Sequence, residues 1–162
     1  IVVQGVPVAA RRGHAEDRRA LDALTAARGP VPIISSLEAS ALALKALGVK
    51  RPLFITQYND EVNAQIVAYC AAAGVEAIGA IGLGATNAAM VNALTVEDYE
   101  ALARRTLDAH KGADGLFLSA RGNLLALTRR LEQTFGVPAI EQVRASVWWA
   151  VTRLGGSFPL RA

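Results

Sequence analysis

The apolar and polar positions of this chain fall into short apolar runs that alternate with helically spaced ones. The clearest case is Leu53-Phe54-Ile55, followed by the polar stretch Thr56 to Glu61 and then by Val62, Ile66, Tyr69 and Ala73 at helical spacing. A continuously apolar run suits a strand that is covered on both faces, because neither side of it meets water. The pattern therefore predicts a strand at 53–55, a loop at 56–59 and a helix from about Asp60 to Ala73, ended by Gly74. Upstream it predicts a strand at Ile1-Val2-Val3-Gln4, a loop from Gly5 to Gly13, a helix from Ala15 to Ala27 with Leu21 and Leu24 inward, and a strand from Val31 to Ile34. Ser35 or Ser36 can cap the next helix, whose Leu37, Ala41, Leu44 and Leu47 recur before Gly48. Downstream, strands are predicted at 76–81, 115–119 and 139–141, and a glycine-bearing loop at 82–87. Helices are predicted from Thr95 to His110, Leu124 to Phe135 and Val143 to Leu154, with a tail from Ser157. Thr95-Val96-Glu97-Asp98 has the form of a capping box.

Strands alternating with helices favour a mostly parallel sheet, or two, with lobe boundaries near Ser35 and Phe135. In open α/β sheets ligands bind beyond the carboxyl ends of the strands, where loops stand clear of the packed layers. Thr56 to Asn59 occupy such a position, which places Tyr58 near a site. Asn87, after the next strand, is a candidate ligand contact. Arg121, just past the strand ending in Ser119, is either a solvated loop residue or a carboxylate clamp.

Composition narrows the function classes. The chain has 162 residues, 52% of them hydrophobic, which is enough for a substantial core. The net charge is +3, and its basic residues are scattered among acids instead of forming a stripe, so no nucleic-acid partner is expected. No apolar run approaches the roughly 20 residues of a membrane-spanning helix, and no export signal is visible. One cysteine excludes a disulfide framework and fits a reducing cytoplasm. Ile1-Val2-Val3-Gln4 already reads as strand interior, so an N-terminal portion is expected to be absent.

Several motifs lose to plainer readings. Gly82-Leu83-Gly84 follows a strand but lacks the third glycine and the helix N-terminus of a dinucleotide site. Cys70 shares a helical face with Ile66 and Tyr69 and reads as a buried hydrophobe. His110 suits a helix C-terminus. His14 lies in reach of a strand end, but two histidines and one remote cysteine form neither a triad nor a metal-ligand set. Trp148 and Trp149 point about 100° apart on a helix, so one is expected to pack and the other to lie at a lobe or subunit interface, leaving a homo-oligomer open.

The segments Ser35-Ser36-Leu37-Glu38-Ala39, Ala43 to Arg51, Thr56 to Asn63, Gly82-Leu83-Gly84, Ala113 to Ser119 and Phe135-Gly136-Val137-Pro138 together resemble the maleate cis-trans isomerase and arylmalonate decarboxylase branch of the Asp/Glu racemase superfamily. The resemblance implies two Rossmann-like α/β lobes with parallel sheets and a cleft between them. Residues 1–36 and 136–162 would then be a partial first lobe, incomplete at its N-terminus, and 37–135 the second. It also implies chemistry without cofactor or metal on a small mono- or dicarboxylate, through an enolate-like intermediate held by oxyanion donors.

On this pattern Tyr58 is the catalytic oxyanion donor. Val8, Ala9, Asn59, Asn87, Ser119, Ala120 and Arg121 are the substrate-binding positions. The family's two cysteines are missing: Ala120 stands at one position, and Gly5-Val6-Pro7-Val8-Ala9 holds neither cysteine nor hydroxyl at the other. The resemblance thus leaves two functions open, an isomerase or decarboxylase-type enzyme and a carboxylate-binding relative without the thiol chemistry.

Overall fold

The computed structural model describes residues 1–120 and 124–161 and is an α/β structure with two parallel sheets. Arg121 lies outside the described residues. In chain order the elements are β1 (Val2–Val3), α1 (Val6–Arg12), α2 (His14–Arg28), β2 (Ile34–Ser35), α3 (Ser36–Ala46), β3 (Pro52–Tyr58) and α4 (Asp60–Ala72). They continue with β4 (Gly79–Ala85), α5 (Ala88–Ala93), α6 (Val96–Ala109), β5 (Gly115–Ser119), α7 (Leu125–Phe135), β6 (Ala139–Glu141) and α8 (Gln142–Arg153). β1 pairs with β2, and the larger sheet has the order β4-β3-β5-β6.

The apolar runs act as their composition requires. Along β3, Leu53 and Ile55 join Leu116, Leu118 and the inner faces of α6 and α7 on one side of the larger sheet. Phe54 joins Phe117, Ile140 and residues of α1, α3, α4 and α8 on the other. Phe54 and Phe117 meet edge to face at 5.2 Å, an arrangement favoured by the ring quadrupoles.

Several expectations are corrected. The stretch from Gly5 to Gly13 is not a loop: Val6, Ala9 and Ala10 are buried at i, i+3, i+4 spacing, and Pro7 sits in the first turn, where its missing N–H costs nothing. Gly13, at φ +78°, breaks α1 from α2. On α2, Leu21 is buried but Leu24 is 48% exposed, and Val31 stays out of the short β2. The predicted loop at 56–59 is mostly strand, since β3 pairs on both sides through Thr56, to Gly82 of β4 and Ser119 of β5. β4 runs through the glycine-bearing segment that was expected as a loop, and α5 follows it where no helix was predicted.

The boundary expected near Phe135 does not separate the sheets. β6 pairs with β5, Leu116 opposite Ala139 and Leu118 opposite Glu141, so 139–141 belong with the larger sheet. Trp149 is buried against Ile34 and Ala39, while Trp148 packs between that cluster and the larger core. α8 lies between two apolar clusters, so residues pointing 100° apart on it both find apolar partners.

Candidate functional site

The carboxyl ends of β3 and β4 face the end of α1 across a cleft of about 330 Å³, lined by Pro7, Arg11, Tyr58, Asn59, Glu61, Val62, Ala85, Thr86, Asn87 and Val91. Tyr58 is the last residue of β3, and its placement rests on local geometry. The register shifts between Thr56 and Tyr58, so that Tyr58 pairs with Ala85 of β4. Thr56 Oγ1 accepts from the Tyr58 N–H at 3.1 Å and donates to Asn63 Oδ1 at 2.6 Å, while Asn63 Nδ2 reaches back to the Tyr58 carbonyl at 3.4 Å. Strand end and helix start are thereby tied by two buried side chains, Thr56 and Asn63.

Gly82 completes this corner. A Cβ at that position would stand 1.8 Å from the Tyr58 carbonyl oxygen and 2.7 Å from Asn63 Nδ2, so β4 can approach β3 here only with a glycine. The glycine pair therefore serves backbone approach, and no phosphate-binding turn is needed to explain it.

Burial pushes the Tyr58 hydroxyl above the ordinary tyrosine value. The group consequently stays an O–H donor through neutral pH. Ser119 is fully buried, and its hydroxyl donates to Gln142 Oε1 at 2.8 Å.

Asn59 and Asn87 also line the cleft, each as a helix N-cap. Asn59 Oδ1 accepts from Val62 N–H at 3.1 Å, and Asn87 Oδ1 accepts from Met90 N–H at 3.0 Å. Those bonds engage the oxygens, and each amide also carries an NH₂ with two N–H donors.

Other candidate positions stand elsewhere. The N–H groups of Val8 and Ala9 both donate to the Gly5 carbonyl, at 3.0 and 3.2 Å, because the segment is helical, so neither is a free donor. Ala9 is buried in the core, and Val8 points outward at 59% exposure. Ser119 and Ala120 are buried behind the cleft wall and do not line it. Arg121 is outside the described residues. Sequence reasoning did not single out Arg11, Glu61, Thr86 or Val91. The signal for Arg11 was present, since the spacing of Val6, Ala9 and Ala10 marks a helix whose last turn carries it.

A second polar cluster lies away from the cleft. Tyr69 donates to Asp17 Oδ2 at 2.8 Å and contacts Ser35 Oγ at 3.2 Å. Arg18 bonds both Glu38 oxygens at 3.2 Å. His14 sits edge-on to Tyr69 with Nε2 3.7 Å from Glu38, so it belongs to this network and does not reach the cleft. Cys70 is 1% exposed, and burial pushes its thiol up to about 12, which leaves it inert. Among the described residues no cluster of histidine, cysteine and carboxylate side chains could hold a metal ion, and no helix is long and apolar enough to cross a membrane.

The sequence profile of the family described as arylmalonate decarboxylase matches residues 1–159. Arylmalonate decarboxylase of Bordetella bronchiseptica is 31% identical over 166 residues, covering 99% of this chain and 67% of that protein. A crystal structure of arylmalonate decarboxylase superposes with a TM-score of 0.87 at 29% identity, over 99% of this chain and 70% of that one. A maleate cis-trans isomerase of Nocardia farcinica shares the fold, with a TM-score of 0.84 at 23% identity over 96% of this chain and 65% of its own.

Proposed function

The chain belongs to the arylmalonate decarboxylase family, and from that premise we propose that it acts without a cofactor on a small mono- or dicarboxylate, stabilising an enolate-like intermediate with the Tyr58 hydroxyl. The observation that carries this reading is Tyr58 itself. It is a half-buried phenol on a braced strand end, held protonated by burial and opening onto a cleft. In a decarboxylation the bond to the departing carboxylate breaks, carbon dioxide leaves, and the electron pair delocalises from the α-carbon onto the remaining carboxylate. The Tyr58 O–H donates to the oxygen that gains charge, and a proton from solvent completes the α-carbon. A preorganised donor in a partly dry site stabilises that charge more in the transition state than in the ground state. The amide groups of Asn59 and Asn87 are further donors along the same wall.

A second reading is favoured by Ala120, which stands where the family pattern calls for a thiol, and by the inert Cys70. In that reading the protein binds carboxylates without turning them over.

Proton NMR of the full chain with phenylmalonate or maleate in deuterium oxide separates the two. The enzyme reading expects substrate loss or deuterium incorporation, with kcat lowered roughly 10² to 10³-fold in Tyr58→Phe. No turnover of either compound would favour the binding reading, and an unchanged rate in Tyr58→Phe would remove Tyr58 from the mechanism.

A further inference from the structure

We propose that Arg11 is the anionic-substrate anchor of the cleft, binding a ligand carboxylate in the space that Tyr58 also lines; this rests on the reading of the cleft as a carboxylate site. Two adjacent arginines end α1, and they differ in what they do. Arg12 lies 3.9 Å from the buried Asp17 and does not line the cleft. Arg11 lines the cleft and forms no ion pair with any described residue. A cation in the last turn suits a helix C-terminus, and Arg12 already meets that preference, so the dipole does not account for Arg11's position against Tyr58, Asn59 and Asn87.

The remaining lining supports the assignment. Pro7, Val62, Ala85 and Val91 are apolar, while Thr86 and the two asparagines are polar but neutral. Among the described lining residues Arg11 is the only cation and Glu61 the only acid. A planar guanidinium offers two parallel N–H groups to a carboxylate, a geometry that neutral donors do not reproduce. The same cleft can thus hold one carboxylate at Arg11 while the oxygen that gains charge faces Tyr58. α1, packed on the same core cluster as Phe54, supplies this cation, and the end of β3 supplies the hydroxyl. Specificity for an anion is then assigned to a different element from the one proposed for chemistry.

The test is calorimetric titration of the full chain with phenylacetate, an inert monocarboxylate, and with phenylacetamide, its neutral counterpart. Arg11→Gln is expected to weaken phenylacetate binding about tenfold or more and to leave phenylacetamide binding unchanged. Arg11→Lys should retain part of the loss, and Arg12→Gln should bind as the parent does. Equal losses in Arg11→Gln and Arg12→Gln would reduce the effect to general charge and overturn the assignment. So would phenylacetate affinity unchanged in Arg11→Gln, or no phenylacetate binding by the parent chain. Circular dichroism and thermal melting of each variant identify a folding defect, in which case Arg11→Lys carries the comparison. Arg11-dependent binding with no turnover of phenylmalonate would sustain this assignment while the enzyme reading falls.

Discussion

At the residue scale, the polar groups that matter most are those with every partner accounted for. Tyr69 is 1% exposed and Asp17 3%, and the phenol donates to the carboxylate at 2.8 Å. Burial is the main reason the Tyr69 hydroxyl lies far above its ordinary value, so it remains a donor through neutral pH. Tyr69→Phe would strip Asp17 of that donor inside the structure and should cost about 1–3 kcal/mol in urea denaturation. Ser35→Ala, which removes only a 3.2 Å contact and a helix cap, should cost about 1 kcal/mol. If the two variants were equal, the buried carboxylate would not be the dominant partner. Tyr69 could be read from its sequence only as a core aromatic, because its partner Asp17 is 52 residues away.

At the element scale, local chemistry located most helices. Ser35 caps α3, and Thr95 caps α6 with Asp98 returning the bond to the Thr95 N–H at 2.8 Å, as the sequence pattern indicated. The same bonds hold the Asp98 carboxyl below its ordinary range, so its contribution is present above that range and is lost as pH falls through the depressed value. Strand ends were less legible. β3 continues through Tyr58 because neighbouring strands pair with its polar residues, and polarity alone reads as a loop. Gly82 shows the consequence, since its Cα faces the Tyr58 carbonyl across the shifted register. Gly82→Ala should force that carbonyl aside, destabilise the fold by about 2–3 kcal/mol, and shift the amide resonances of Tyr58 and Asn63 in heteronuclear NMR. A variant with parental stability and unmoved resonances would show that the strands have slack at this point.

At the scale of the whole molecule, a buried arginine gathers the backbone of the C-terminal tail. Arg144 is 8% exposed, and its Nε donates to the carbonyls of Pro159 at 3.1 Å and Leu160 at 2.8 Å, with a further bond from Nη2 to Arg161. Its guanidinium lies 5.5 Å from the Phe158 ring, and Leu160 packs against the larger core. Arg144→Ala should free this segment and raise the rate of chymotryptic cleavage after Leu160 roughly tenfold or more, because cleavage follows the population of the open form. Parental cleavage rates would mean that Leu160 and the 3.4 Å pair between Arg161 and Glu132 suffice to seat the tail.

The sequence by itself determined the α/β alternation, the two-sided burial of β3 and β5, the caps of α3 and α6, and the nearness of Tyr58 to a strand end. Each of these follows from contacts or spacing within a few residues. Only the tertiary structure decided that Arg11 shares a cleft with Tyr58, that Ser119 bonds Gln142, and that β6 joins the larger sheet. Those facts depend on residues tens of positions apart, which packing brings together and periodicity does not record.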